Sequence, residues 1–262
     1  MVTIASGRFE PAMHGGRPAR WAATGRWGGF SQPPYDSLNL ARHVGDDPAA
    51  VTENFAVVCE LMGVAEGHLA HMEAAHGADV AVVTRPGVSR GFDALLTRTP
   101  GLVLVAIGAD CVPVALIGGD GITVAVAHCG WRGLAVDVIG ATVDAMRSVG
   151  AEVQHAILGP AACGDCYAVP PERVDELART ATSAVSAAAI TVARDGQPSI
   201  DVRAGAQARL AELGVRSGSI TLAGGCTIES AALFSYRRDG LTGRQALLVC
   251  TEESATTSRM AP

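Results

Sequence analysis

The stretch Val112-Pro-Val-Ala-Leu-Ile-Gly-Gly-Asp-Gly-Ile-Thr-Val-Ala-Val-Ala-His128 decides the fold. Residues 112–117 form one continuous apolar run and residues 122–127 form another. Between them, Gly118-Gly119-Asp120-Gly121 is a strong turn signal, because glycine reaches backbone conformations closed to other residues. Strands buried on both faces read as unbroken aliphatic runs rather than as alternating ones. The stretch is therefore expected to be a hairpin inside a covered sheet. Its two ends then fall together, with Cys111 just before the first strand and His128 just after the second.

Further strands are expected outward from this hairpin. Residues 102–107 and 153–158 are continuous apolar runs, 78–83 alternates weakly, and 220–222 and 246–250 are short strands. Helical spacing covers 134–149, 171–189 and 203–213, the last stopped by Gly214. Asp47 suits an N-cap and Pro48 the first position of a helix that runs to Met62 and closes at Gly63. Residues 1–20 are polar and contain glycine and proline. Residues 25–34 read as a loop, and the Ser/Thr-rich tail from Thr251 is expected to fray. Strands occur both in adjacent runs and separated by helices, which predicts an α+β architecture of mixed sheets with helices outside. No linker or repeat divides the chain, so residues 1–262 are read as one domain.

Composition narrows the function. The 262 residues hold 20 Lys+Arg against 26 Asp+Glu, for a net charge of −6. That acidic balance argues against general nucleic-acid binding, which needs clustered positive charge to neutralise phosphates. All 20 basic residues are arginine, which excludes a lysine Schiff base or a Walker lysine. No run approaches the ~18 apolar residues of a membrane span. Residues 1–10 lack a basic segment followed by an apolar run, so no secretory signal is read there. A soluble cytoplasmic protein is expected, its seven cysteines serving as free thiols or metal ligands rather than disulfides.

Three segments set metal-capable side chains at the ends of apolar runs: Ala75-His76-Gly77, Ala109-Asp110-Cys111 and His128-Cys129-Gly130. Two imidazoles and a thiolate suit Zn²⁺, and three protein ligands with a fourth position left for water define a catalytic rather than a structural site. Cys111 and His128 also suit a thiol nucleophile and its base. Spacing alone does not separate these readings. Cys163-Gly-Asp-Cys166 can hold zinc or cycle as a dithiol, but no second C-x-x-C accompanies it, and the pair reads as two thiols of a loop. A four-copper laccase needs many histidines in His-x-His pairs. This chain has seven histidines and no such pair, so copper oxidation is not expected. Gly130-Trp-Arg-Gly133 precedes a helix, where backbone N–H groups and Arg132 can meet an anion. Equally, Trp131 can be a packing residue and Arg132 an ion-pair partner.

An ordered series of motifs spans residues 26–245: Arg26-Trp-Gly-Gly-Phe-Ser31, Pro34-Tyr-Asp-Ser-Leu-Asn-Leu40, His43-Val-Gly-Asp-Asp-Pro48, Glu53-Asn54, His76-Gly77, Asp93-Ala-Leu-Leu-Thr97, Ala109-Asp-Cys-Val-Pro-Val114 and His128-Cys-Gly-Trp-Arg-Gly133. It continues through Gly159-Pro160, Cys166-Tyr167, Cys226-Thr227, Phe234-Ser-Tyr-Arg-Arg-Asp-Gly240 and Thr242-Gly-Arg-Gln245. In these the chain resembles the YfiH family, also called the laccase-domain or multicopper polyphenol oxidase family. The resemblance implies a four-layer α/β/β/α fold of the kind shared with the cytotoxic-necrotizing-factor toxins, and zinc on His76, Cys111 and His128. It implies a purine nucleoside phosphorylase accepting adenosine, inosine and methylthioadenosine, with adenosine deamination as a second family activity. Editing of peptidoglycan precursors is a further family role.

On that basis Arg132, Arg26 and Arg237 are expected at the phosphate. Asp110 and His43 are expected to move protons, and Asn39 to orient the nucleoside. The partners expected are a purine nucleoside and phosphate, with no nucleic acid and no membrane, acting on a monomer or homodimer. A Cys111/His128 hydrolase of peptidoglycan precursors and a non-catalytic zinc-containing binding module are the alternatives. The chain departs from the family pattern at Ala74, Phe55 and Ala168, where Gln, Arg and Glu are usual.

Overall fold

The computed structural model describes residues 2–11 and 15–253. Two six-stranded sheets carry the fold. In spatial order the first holds β1 (Thr3–Phe9), β2 (Ala19–Thr24), β14 (Gln245–Thr251), β7 (Val103–Gly108), β3 (Leu69–Glu73) and β5 (Gly87–Arg90). The second holds β13 (Ile220–Leu222), β10 (Val153–Leu158), β8 (Val112–Gly118), β9 (Val124–Cys129), β6 (Ala94–Thr97) and β4 (Val80–Val82). A small ribbon pairs β11 (Ile190–Val192) with β12 (Pro198–Ile200). Both sheets are mixed. In the first, β3 runs parallel to β7 and β5; in the second, β13 runs parallel to β10 and β4 to β6. The expected α+β class with mixed sheets is what the chain adopts.

The deciding stretch is the hairpin β8–β9, in register Val112 to Cys129 and Val114 to Ala127. Its unbroken apolar character follows from burial on both faces. Ala115, Ile117, Val124 and Val126 enter a core shared with Leu104, Ala106, Leu247 and Val249 of the first sheet. The alternate residues Val112, Val114, Leu116, Ala125 and Ala127 enter a second core with helix residues such as Val138, Val143, Leu177 and Leu210. The turn is held by Asp120, whose Oδ1 accepts from the backbone N–H groups of Ile122 and Thr123. That cap keeps Ile122 and Thr123 out of the strand, so β9 begins two residues later than the apolar run predicts.

Helix α1 (Pro48–Met62) lies on the outer face of the first sheet, with Val51, Phe55, Val58 and Met62 in a third core beside Val103, Val105 and Leu248. Asp47 caps it by accepting from Ala49 N–H. Gly63 ends it at φ 59°, a left-handed conformation that glycine adopts without strain. Two predicted helices are each interrupted. Residues 134–149 fall into α2 (Trp131–Ala135) and α3 (Val138–Ser148), divided where Asp137 adopts φ 60° and caps α3. Residues 171–189 fall into α4 (Pro171–Thr180) and α5 (Ser183–Ala189), because the Thr182 hydroxyl accepts from Val185 N–H and starts a new helix. Helices α6 (Val202–Glu212) and α7 (Tyr236–Asp239) complete the set.

No strand is expected within residues 1–20, yet Thr3–Phe9 forms β1 and Ala19 begins β2, an antiparallel pair at the edge of the first sheet. Strands β3, β5, β6, β11 and β12 are likewise additions to the expected set. The tail expected to fray from Thr251 does not begin there, because Thr251 is buried in β14 and Glu252 N–H donates to Pro18 O; residues beyond Glu253 lie outside the described residues. Among the described residues, no helix is long and apolar enough to cross a membrane.

Candidate active site

The chain crosses from the first sheet to the second three times, from β3 to β4, β5 to β6 and β7 to β8, and all three crossings bring a residue to the same place. His76 lies on the crossing from β3 to β4, and Cys111 on the crossing from β7 to β8. His128 lies at the end of β9, which the hairpin register brings beside the start of β8. One donor atom from each of His76, Cys111 and His128 lies within 4.8 Å of the others. The two imidazole rings meet edge to face, with centroids 4.9 Å apart.

Asp93 organises this trio. It sits just before β6, and its side chain is fully buried. Its carboxylate accepts from the N–H groups of Ala75 (3.0 Å), His76 (2.9 Å) and Gly77 (2.7 Å). This holds His76 at φ 61°, in the left-handed region that costs a non-glycine residue energy. Asp93 Oδ1 also lies 3.1 Å from His128 Nδ1. A carboxylate only accepts, so Nδ1 carries a proton toward Asp93, and Nε2 is the nitrogen available to a metal once its own proton leaves. Glycine makes room on the other side. A Cβ on Gly130 would sit 2.6 Å from Cys111 Sγ, and one on Gly108 2.7 Å from the Cys111 carbonyl oxygen.

The electrostatics couple Cys111 to His128. Burial alone would push the Cys111 thiol up, but the His128 charge and hydrogen bonds from both imidazoles bring it down to about 6. Burial would pull His128 down, yet the Cys111 thiolate and Asp93 raise it. Two imidazoles, one thiolate and a carboxylate that orients a ring form a donor set that fits Zn²⁺.

The trio forms part of the wall of a cavity of ≈ 500 Å³, large enough for a nucleoside-sized ligand. Among the expected residues, His43 also lines it. Partial desolvation and the nearby Arg244 pull the His43 pKa below its ordinary value. None of the three arginines expected at phosphate lines the cavity. Arg26 is bound to the backbone oxygen and carboxylate of Asp36. Arg132 is exposed and rests over Trp131. Arg237 stacks 4.6 Å from the Tyr167 ring centroid and donates to Ala168 O.

Asn39 and Asp110 are placed as scaffolding. Asn39 is fully buried and spends its amide on Ala41, Asp46 and the backbone N–H of Arg244. Asp110 has φ 112°, and its carboxylate accepts from Thr227 Oγ1, Ser235 Oγ and Arg237 N–H. These three bonds offset the backbone strain and fix the turn that presents Cys111. Of the expected residues, Asp110, Arg132, Arg26, Arg237 and Asn39 therefore lie outside the cavity lining, while His43, His76, Cys111 and His128 lie within it.

Arg244 is the arginine that lines the cavity, with Nη1 tethered to the carbonyls of Thr242 and Gly243. The departure Ala74 lies on the same wall. Phe55 packs instead in the core under α1, 5.3 Å from the His71 ring centroid. Ala168 pairs with Ser199 through a backbone bridge. Cys163 and Cys166, read as two thiols of a loop, are joined by Cys226 and Glu229 in a second tight donor cluster.

Two mixed sheets joined by crossings that carry a His–Cys–His centre define an α+β protein with a metal-capable cavity. The chain belongs to the family described as multi-copper polyphenol oxidoreductase laccase, whose model matches residues 20–252. It is 44% identical over 233 residues to a purine nucleoside phosphorylase of Streptomyces coelicolor, covering 87% of this chain and 93% of that one. It is 39% identical over 237 residues to a purine nucleoside phosphorylase of Mycobacterium tuberculosis, covering 89% and 92%. Among solved structures, YlmD of Geobacillus stearothermophilus superposes with a TM-score of 0.83 at 31% identity, covering 93% of this chain and 94% of that one. The Bacillus licheniformis protein YfiH superposes with a TM-score of 0.83 at 27% identity, covering 89% and 93%.

Proposed function

We propose that this protein is a zinc-dependent purine nucleoside phosphorylase acting in the cavity above His76, Cys111 and His128. The observation that carries the reading is the three-donor centre opening onto a ≈ 500 Å³ cavity that also presents Arg244 and His43. Relatives at 37–44% identity, aligned over most of their length, are named for that activity.

In phosphorolysis a phosphate oxygen bonds to the anomeric carbon of the ribose. The C–N glycosidic bond breaks, and its electron pair goes to the purine. The products are ribose 1-phosphate and the free base. When bound, the metal supplies a fixed positive charge and a Lewis acid on the cavity wall. His76, Cys111 and His128 hold it, and Asp93 keeps His128 in the tautomer that leaves Nε2 free. Arg244 receives the phosphate, where a guanidinium can bind two oxygens at once. His43, neutral at pH 7 because its pKa lies below the ordinary value, offers an N–H to the departing base. Asp110 is a positioning residue that fixes the turn before Cys111.

The test is a chromatographic product assay on zinc-loaded protein given adenosine, inosine or methylthioadenosine, with and without phosphate. Free base formed only with phosphate, together with ribose 1-phosphate, supports the reading. Inosine from adenosine in both conditions would replace it with adenosine deamination. Absence of product from all three nucleosides would sink it, and chelator-resistant hydrolysis of a peptidoglycan precursor would then favour Cys111 as a nucleophile.

A further inference from the structure

A second group of soft donors gathers in the loops that close over Asp110. Cys163, Cys166, Cys226 and Glu229 each place one ligand atom within 4.8 Å of the other three. Cys163 and Cys166 come from the loop after β10, and Cys226 and Glu229 from the loop after β13. Backbone contacts fix the two loops side by side. Ala161 and Cys226 form a parallel bridge, Thr227 N–H donates to Ala161 O at 3.1 Å, and Cys163 N–H donates to Cys226 Sγ at 3.4 Å. The C-x-x-C segment is curled into a turn by Cys166 N–H and Tyr167 N–H, which both donate to Cys163 O. That turn points two sulfurs at one centre, and the bridge delivers the third.

We propose that Cys163, Cys166, Cys226 and Glu229 form a second zinc site, distinct from the cavity, that closes around its ion with four protein ligands. Zn–S bonds of ~2.3 Å at the tetrahedral angle put sulfurs ~3.8 Å apart, which small side-chain rotations reach from the observed spread. Thiolate-rich donor sets select zinc over magnesium, calcium or manganese. Cys226 is buried and Cys163 and Cys166 are half-buried, so the ion would sit partly beneath the surface. Glu229 faces Arg194, which also pairs with Asp165 at 3.3 Å and offsets part of the charge of the thiolate cluster. Burial holds the Cys163 and Cys166 thiols above their ordinary range without metal, so binding displaces their protons.

The site would act as a staple. Its two loops carry the Ala162 N–H that donates to Asp110 O and the Thr227 hydroxyl that donates to the Asp110 carboxylate. They also carry Ala168 O, the acceptor for Arg237. An ion here would tighten the turn that presents Cys111 without touching substrate.

The experiment is zinc stoichiometry by plasma mass spectrometry on full-length protein purified under reducing conditions. About two ions per chain are expected for the wild type. About one is expected for the double variant C163S/C166S, and about one for His76→Ala. One ion in the wild type, unchanged in C163S/C166S, overturns the proposal. If the double variant loses all its zinc through unfolding, peptide-mapped alkylation of the wild type decides. Zinc is expected to protect Cys163, Cys166 and Cys226 together, and a chelator to expose all three. Equal labelling with and without zinc, or a disulfide joining two of the three, overturns the proposal.

Discussion

The two donor clusters differ in what they leave open. The cavity centre has two imidazoles and one thiol, with cavity space beside them. The loop cluster has three thiols and a carboxylate, which is a full tetrahedral complement. Three donors leave room for a reacting group, and four do not. The surroundings differ in the same sense. At the cavity a fully buried aspartate orients the His128 imidazole, while at the loops backbone bridges do the orienting. A cluster built for chemistry needs its donors tuned, whereas a staple needs only that they meet.

The largest expected effect is a split between the clusters. Cys111→Ser should lower turnover by roughly 10³-fold or more, since the charge stabilisation at the reacting centre goes with the ion. Cys166→Ser should cost less than about tenfold in turnover and instead lower the melting temperature, as loss of a structural ligand does. Initial rates and thermal melts on both variants check this. Equal losses of turnover would erase the distinction. The next effect separates Arg244 from the arginines outside the cavity. Arg244→Gln should raise the KM for phosphate by roughly 10²-fold, in line with ~3 kcal/mol for a charge-assisted bidentate contact. Arg132→Gln should leave it within about twofold, as is usual for an exposed side chain.

The same split marks what could be read in advance. The hairpin and α1 were legible because their signals are local: Gly118 to Gly121 for one, and Asp47, Pro48 and Gly63 for the other. Strands β2 and β6 were hidden. Strand β2 is rich in alanine, which lacks strand preference, and β6 is only four residues long. The meeting of His76, Cys111 and His128 was legible because the hairpin places two of the three. Asp93 was not, since its role depends on β6 pairing with β9 at Ala94 and Ala127. Charge alone could not say which arginine faces the cavity. Arg26 and Arg237 were taken by Asp36 and Ala168, and Arg244 was left for the cavity by a tether to its own loop. Cys226 lies 63 residues from Cys163, so the third sulfur was invisible to any local motif.

Asp93 tests whether orientation matters at the cavity as argued. Asp93→Asn keeps the size but weakens the acceptor for three backbone N–H groups and for His128. Metal affinity should fall roughly 10- to 100-fold, as it does when a partner of a ligating histidine is lost. Chelator competition measures it. An affinity within twofold of the wild type would show that the sheet crossings alone hold His76 and His128 in place.

The smallest effect sharpens the comparison through thiol chemistry in metal-free protein. Cys111 is brought down to about 6, so it is mostly thiolate at pH 7. Its alkylation should fall off as pH drops through 6 and gain little above 8. Cys166 is pushed the other way by burial and the neighbouring thiols, so its rate should keep climbing past pH 9. The difference at pH 7 is modest because a thiolate of low pKa is also a weaker nucleophile. With a Brønsted slope of ~0.45, the ~30-fold gain in thiolate over an ordinary cysteine shrinks to a few-fold gain in rate. The midpoint therefore carries the information, and the rate does not. Peptide-resolved labelling with iodoacetamide from pH 5 to 10 reads both sites in one sample. A shared midpoint would mean that the His128 charge does not reach Cys111, and the electrostatic contrast between the clusters would collapse.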